Sequence, residues 1–233
     1  MRPAVIILRS VIAIAIIAAI VGQLIVSVAF WQANGVQHLG ISVWNFFSFF
    51  TIQSNVLTIV AFAVGAVFLL RTRGVEPPRW TTFRACVATY MIVTGIVYNL
   101  LLRNIPLGGI SDVWTNETLH VVIPLVMLAD VLFAPRRRAL GWSTVVIAAI
   151  FPVVWAVYTL IRANFIIGPA TGNPWWYPYP FLDPHLTPGG YLGVAGYIVG
   201  ITIAIIGVAS FAVWAGRRRS RTRDDKAAVG TAR

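Results

Sequence analysis

Six long apolar stretches dominate the sequence, and they restrict its fold more than any other feature. They cover about residues 4–30, 44–70, 82–102, 117–134, 141–162 and 190–214. A hydrocarbon core of ~30 Å is crossed by about 20 helical residues, and most of these stretches reach that length. None shows the polar–apolar alternation of barrel strands, which leaves helices as the structure able to cross a bilayer. The sequence therefore predicts an all-α polytopic membrane bundle of about six transmembrane helices.

Composition supports the membrane class. Of the 233 residues, 58% are hydrophobic and only 11% are charged. A water-soluble domain of this length could not keep so much apolar surface away from water. We predict a single transmembrane domain over residues 1–215, followed by a disordered basic cytoplasmic tail over residues 216–233.

The formal net charge of +11 arises largely from arginines at the ends of the apolar stretches. The clusters are Arg71, Arg73 and Arg79; Arg136 to Arg138; and Arg217 to Arg219 with Arg221 and Arg223. This placement follows the positive-inside rule and predicts both termini in the cytoplasm. Tryptophans near the opposite ends of the spans agree with that orientation. Membrane lipids are thus the expected partners, and nucleic acid is not.

The chain has one cysteine, Cys86, so it can form no intramolecular disulfide and no cysteine-based metal site. No cofactor is expected. The loop over residues 163–189 carries six prolines interleaved with aromatic residues. Proline density disfavours a regular helix, and the aromatic side chains favour the membrane interface. Two interpretations stay open for this loop, an ordered lid or an interfacial anchor without a gating role.

The second span carries the most informative polar residues. At about 100° per residue, one arc of the helix contains Ser48, Thr51, Ser54, Asn55 and Thr58. Such a stripe should face the bundle interior or a water-filled cavity. It could equally serve as helix–helix contact through interhelical hydrogen bonds.

The fourth span opens with a histidine. Thr115 is a plausible N-cap, which predicts a helix beginning near Asn116 with His120 about one turn inside. Asn116 and Pro124 should share the face of His120 at four-residue spacing. Thr51 should lie roughly 8–10 Å and His120 roughly 6 Å below the outer interface, so the two could meet. An intramembrane histidine is a functional candidate or a structural residue bonded to the outer loop.

Three short motifs occur together in this chain: Phe50-Thr51, His120 opening the fourth span, and Trp176-Tyr177-Pro178 with Tyr179-Pro180 before the last span. In these motifs the sequence resembles the androgen-induced membrane protein family. The likeness extends over nearly the whole chain in span order and is closest to the bacterial six-span relatives. It implies a bacterial inner-membrane location. Animal members hydrolyse fatty acid esters of hydroxy fatty acids with an intramembrane threonine and a histidine.

The resemblance implies that Thr51 is a nucleophile and His120 its base, in a site toward the outer leaflet. A threonine hydroxyl needs such a neighbour to take its proton as it attacks an ester carbonyl. Asn55 or Asn99 could supply a donor to the oxyanion. The imidazole could be oriented by Asp183, Glu117 or Asp112, and spacing does not select among them.

Three other charged residues end spans. Arg103 and Arg162 lie at the outer face, where they could snorkel or bind a lipid or substrate carboxylate. Asp130 lies near the inner end of the fourth span, and an ion pair with Arg136 is expected there.

The leading hypothesis is a hydrolase of lipidic esters acting on a hydrophobic small molecule. One alternative is a small-molecule or lipid transporter, which predicts midplane charges and an inverted repeat that we do not find in the sequence. Another is a metal site, for which the outer-side residues lack a recognised spacing. A non-catalytic lipid-binding protein is the remaining alternative, and the oligomeric state stays open.

The arginine and tryptophan pattern predicts topology. In Ser220→Cys the new thiol should be labelled only from the cytoplasmic side, and in Gly172→Cys only from the outside, because the arginine clusters stay inside. Cysteine-accessibility labelling with a membrane-impermeant reagent measures both. External labelling at position 220 would contradict this topology.

Overall fold

The computed structural model describes residues 2–72, 76–133 and 139–231, with side chains through Arg218. Every regular element in this part of the chain is helical. The α-helices are α1 (Arg2–Ala33), α2 (Leu39–Ser48), α3 (Phe50–Arg71), α4 (Pro78–Val97), α5 (Val113–Glu117), α6 (Ile123–Phe133), α7 (Ser143–Ala163) and α8 (Tyr191–Thr231). Two π-helical segments, Tyr98–Leu102 and Thr118–Val122, continue α4 and α5, and a 3₁₀ turn covers Pro180–Leu182.

Six helices in the described residues are long and apolar enough to cross a membrane, which confirms the fold class. They are Pro3–Ala33, Phe50–Arg71, Pro78–Leu102, Val113–Phe133, Ser143–Ala163 and Tyr191–Arg218. Large apolar side chains on their outer faces are exposed, as at Ile14, Val146 and Ile203, and in a bilayer these would contact lipid. The protein is therefore a multi-pass membrane protein.

The last helix continues to Thr231. The composition, in contrast, predicts a disordered tail from residue 216. Arginine, alanine and lysine are strong helix formers, so this polar stretch extends the preceding span as helix. The location of the tail in the cytoplasm stays a prediction.

The second apolar stretch is not one helix. The sequence predicts a continuous span over residues 44–70, but α2 ends at Ser48 and α3 begins at Phe50. Between them Phe49 has an extended backbone, with φ −63° and ψ 132°. Since neither proline nor glycine lies at this point, the break depends on contacts made elsewhere in the fold.

Two aromatic side chains bond the backbone groups released at this break. The indole Nε1 of Trp155 on α7 donates to the Ser48 carbonyl at 3.0 Å. The phenol oxygen of Tyr179, in the loop before α8, accepts from the Thr51 amide at 3.2 Å. An unpaired backbone group inside a membrane costs several kcal/mol, so both contacts stabilise the broken span.

A buried network of four charged side chains joins the helices at the other end of the bundle. Arg84 on α4 contacts Glu76 and donates to Asp130 on α6 at 2.6 Å. Arg9 on α1 donates to the same carboxylate at 3.4 Å and to the Gly65 carbonyl on α3 at 3.1 Å. A Cβ added at Gly65 would lie 2.9 Å from the Arg9 guanidinium, so glycine allows this close approach. We call these four side chains the charge network.

The charge network gives Asp130 two partners that the sequence does not predict. Its carboxylate binds Arg84 and Arg9, from two other helices. Arg136, the expected partner, lies outside the described residues. The charges of the network cancel in sum, which allows four ionised groups to stay buried inside a helical bundle.

Replacing Arg84 should destabilise the protein strongly. Arg84→Leu would leave the carboxylates of Glu76 and Asp130 buried without their shared cation, at a cost of about 3–5 kcal/mol. The measurement is thermal unfolding in detergent. Arg79→Leu is the matched control because Arg79 is exposed one turn earlier. Equal melting temperatures for the two variants would show that the network contributes little.

Candidate functional site

The predicted residues Thr51 and His120 line the same cavity. It lies at the end of the bundle opposite the charge network and has a volume of about 210 Å³. Its walls come from α3, α4, α7, α8, both π-helical segments and the loop before α8. Most lining side chains are apolar, including Val93, Val153, Leu160, Leu182, Ile198 and Ile205. The structure therefore brings the two candidate residues to one apolar space, as the matched depths predict.

Thr51 owes its position to the break at Phe49. As the second residue of α3, it lies in a first turn whose amides have no partner within the helix. Its hydroxyl lies 3.2 Å from the Tyr179 phenol, which also accepts from its amide. No hydrogen bond joins Thr51 to His120 within the described residues. Burial raises the pKa of the Tyr179 phenol above its ordinary value, so this group stays protonated at neutral pH.

The His120 ring is held by two contacts. Nδ1 lies 2.9 Å from the Asn116 carbonyl, which can only accept, so Nδ1 carries the proton. This tautomer leaves the lone pair on Nε2. The Tyr98 ring stacks on the imidazole, with centroids 4.4 Å apart and planes 24° apart. A backbone carbonyl thus orients His120, where the sequence offers Asp183, Glu117 or Asp112.

Both rings of this stack lie in π-helical segments. Tyr98 begins the first segment and His120 lies at the centre of the second. A π-helical turn shifts the register of the side chains that follow, and such turns are frequent at functional sites. Gly95 brings the two elements together, because a Cβ added there would lie 2.7 Å from the Pro124 ring and 3.4 Å from the His120 carbonyl.

A chain of polar contacts leads from the stacked rings to the bundle surface. The Asn116 amide donates to the Tyr98 phenol at 2.5 Å, and that phenol donates to Glu117 at 3.4 Å. Glu117 in turn pairs with Arg103 at 3.0 Å. Glu117 therefore supports Tyr98 and does not contact the imidazole. Because Arg103 is paired with this carboxylate, its guanidinium is not free to bind the carboxylate of a substrate.

The helix that carries His120 begins earlier than the sequence predicts. It starts at Val113, after an extended Asp112, so Thr115 is not the N-cap. The Thr115 hydroxyl lies 2.7 Å from the side-chain oxygen of Gln23 and packs α5 against α1. Residues able to cap a helix occur by chance in short polar segments. Here the Thr115 hydroxyl makes a tertiary contact with Gln23 and does not cap the helix.

The predicted polar stripe is buried, in agreement with an interior position. Ser48 belongs to α2, while the other members share α3. The Asn55 amide donates to the Thr51 carbonyl at 2.9 Å and to the Leu119 carbonyl at 3.3 Å. Both of its protons are used, so Asn55 ties α3 to the π-helical segment of His120 and is not placed as an oxyanion donor.

Asn99 and Asp183 do not line the cavity. Asn99 is exposed, donates to the Gly95 carbonyl and accepts from Arg103 at 2.5 Å. Asp183 accepts from the His185 amide at 2.8 Å and shapes the turn after Leu182. Neither position could be excluded from spacing alone, because the choice depends on how each helix or loop is rotated.

Arg162 joins three elements at the end of the bundle that holds the cavity. It donates to the Asn45 side-chain oxygen at 2.6 Å, and its guanidinium lies 5.5 Å from the centre of the Trp176 ring. These contacts hold the end of α7 against α2 and against the loop over residues 164–190, which we call the aromatic loop. Arg162 does not line the cavity.

The aromatic loop enters the bundle. Tyr179, Phe181 and Leu182 are buried and pack against Phe49 and Trp155. The loop is thus ordered and forms one wall of the cavity. Its gating role stays a prediction.

Tyr98 and Tyr179 are the site residues that sequence reasoning missed. Tyr179 lies among the alternating tyrosines and prolines of the aromatic loop. An aromatic residue in such a loop is predicted to lie at the membrane interface. Tyr98 precedes Asn99 and Arg103 near the end of a span, and no pattern distinguishes it from an interfacial tyrosine. Within the described residues, no three histidine, cysteine or acidic side chains are grouped closely enough to hold a metal ion.

Comparisons with models of known families, with curated proteins and with solved structures gave no match to this chain. The arguments about function therefore rest on the residues and the geometry described above.

Tyr179 should stabilise the fold as well as the site. Tyr179→Phe removes the acceptor for the Thr51 amide, and a buried unpaired donor costs about 1–3 kcal/mol. Thermal unfolding in detergent should show a lower melting temperature than for Tyr197→Phe on α8, whose ring packs near Phe181 but whose phenol bonds no described residue. Equal stability of both variants would argue against this contact.

Proposed function

We propose that the protein is an intramembrane hydrolase of lipidic esters in which Thr51 is the nucleophile and His120 the general base. One observation carries the proposal, namely that both side chains line a single apolar cavity within the membrane-spanning region. Such a cavity suits a hydrophobic substrate that arrives from the lipid.

The chemistry would proceed in two steps. Thr51 Oγ1 attacks the ester carbonyl carbon while His120 Nε2 takes its proton, and the alcohol leaves with that proton. Water then attacks the acyl-threonine, His120 again accepts a proton, and the carboxylic acid departs as Thr51 recovers its hydrogen. The tautomer held by the Asn116 carbonyl supports this role, because it leaves Nε2 unprotonated.

Stabilisation of the oxyanion would come from the beginning of α3. The N-terminus of a helix carries a partial positive charge that attracts negative charge, and here it lies beside the nucleophile. The Tyr179 phenol is a second donor within reach of Thr51. In our proposal these groups replace Asn55 and Asn99, whose amides are used elsewhere.

The Thr51 hydroxyl must turn from Tyr179 toward His120 for this reaction. Catalytic hydrogen bonds often form only when substrate is bound, so the unliganded geometry is compatible with the proposal. We also propose kinship with the androgen-induced membrane protein family, and a site facing the outer leaflet of a bacterial inner membrane. A transporter or a lipid-binding protein would use the same cavity without turnover.

Ester hydrolysis should depend on the Thr51 oxygen and on His120 together. Thr51→Val and His120→Ala should each reduce turnover of a long-chain ester at least ~100-fold, because each removes one half of the proton transfer. The double variant should be little worse than either. Thr51→Ser should retain activity, since it keeps the hydroxyl.

Thr58→Val is the matched control for these variants. Thr58 is buried on the same helix, but its hydroxyl bonds the Ser54 carbonyl and does not line the cavity. A fluorophosphonate probe should label the wild type and Thr58→Val but not Thr51→Val. Turnover that survives Thr51→Val, or no turnover of any ester by the folded wild type, would overturn the proposal.

A further inference from the structure

The described residues that line the cavity include no lysine, arginine, aspartate or glutamate. His120 is neutral in the tautomer that its contact with the Asn116 carbonyl requires, so it carries no charge to offset that of a substrate group. Burying an ionised carboxylate without a partner costs several kcal/mol. The part of a ligand that enters this space must therefore be uncharged.

The two arginines nearest to this end of the bundle do not change that conclusion. Arg103 is bound to Glu117, and the charges of this pair cancel. Arg162 bonds Asn45 and lies over Trp176, outside the cavity lining. Recognition of a carboxylate inside the cavity would require one of them to leave its partners.

One lining hydroxyl is nevertheless left without a partner. Thr94 on α4 is 6% exposed, and its Oγ1 bonds no described residue. A buried threonine on a helix usually bonds the carbonyl four residues earlier, as Thr202 does across the same cavity at 2.7 Å from the Ile198 carbonyl. Other polar lining atoms of Thr51, Tyr98, Trp155 and Tyr179 also have partners.

Thr94 lines the same cavity as Thr51 and His120, the proposed reacting residues. It lies one helical turn before Tyr98, whose ring stacks on His120. Thr94 is thus about 6 Å further along the helix axis, toward the centre of the membrane. A ligand whose ester group lies between these residues can accept a hydrogen bond from the Thr94 hydroxyl within an otherwise apolar environment.

We propose that the cavity binds an uncharged single-chain lipid ester and that the Thr94 hydroxyl donates a hydrogen bond to it. This inference rests on the proposed function for the reacting bond, but it concerns recognition, and it can be tested without turnover. It also narrows the substrates that the family resemblance implies, because a fatty acid ester of a hydroxy fatty acid carries a free carboxyl group. That group would have to remain outside the cavity.

Binding can be measured through Trp155, which lines the cavity. The probes are a spin-labelled stearic acid methyl ester and the corresponding free acid, which quench tryptophan fluorescence at short range. In detergent at a pH that ionises the free acid, the methyl ester should quench more strongly at equal occupancy of the micelles. Trp155→Phe should remove the difference between the two probes, which assigns it to this cavity.

Thr94→Val and Thr202→Val provide the matched comparison. The change is identical and both residues line the cavity, but only Thr94 has a free hydroxyl to lose. Thr94→Val should weaken binding of the methyl ester about 2- to 10-fold, as expected for one hydrogen bond, and Thr202→Val should leave it unchanged.

The outcomes separate this inference from the proposed hydrolysis. Equal quenching by the ionised acid and the ester, or equal effects of the two threonine variants, would overturn the inference even if esters are hydrolysed. Selective binding of the ester by a protein that hydrolyses no ester would confirm the recognition and overturn the catalytic proposal.

Discussion

Inside a bilayer no water is available to bond the backbone groups that a helix break releases. The break at Phe49 releases such groups within the bundle, and the Trp155 indole and the Tyr179 phenol bond them. The positions of α7 and of the aromatic loop are therefore tied to the break. The same break places Thr51 in a first helical turn beside the cavity, so the feature that interrupts the helix also creates the candidate site.

The number of spans could be predicted because apolar length is a property of the sequence itself. The break could not be predicted, since residues 44–50 include neither proline nor glycine and form one apolar stretch with the residues that follow. Its cause lies in Trp155 and Tyr179, more than 100 residues away along the chain. Trp155 lies inside α7, away from the interfaces that tryptophan favours, and its indole bonds the Ser48 carbonyl at the break.

The sequence could predict which residue types form the candidate site and at what depth they lie. It could not predict which groups bond to them. Helical periodicity turned the polar stripe inward, and depth allowed Thr51 and His120 to reach the same cavity. The group that orients the imidazole is a backbone carbonyl, which no side-chain pattern can reveal. Arg84 and Glu76 were missed although opposite charges near matched span ends are a signal of buried pairing. Their pairing depends on helix rotation, which a single sequence does not determine.

The charge network also bears on how the protein is made. Arg9 lies on α1, and its carboxylate partner follows 121 residues later on α6. Before α6 is inserted, the Arg9 guanidinium can bond the Gly65 carbonyl on α3 or the headgroup region, but not this carboxylate. The final packing of α1 therefore depends on the insertion of α6, so helices far apart along the chain are joined by charge late in assembly.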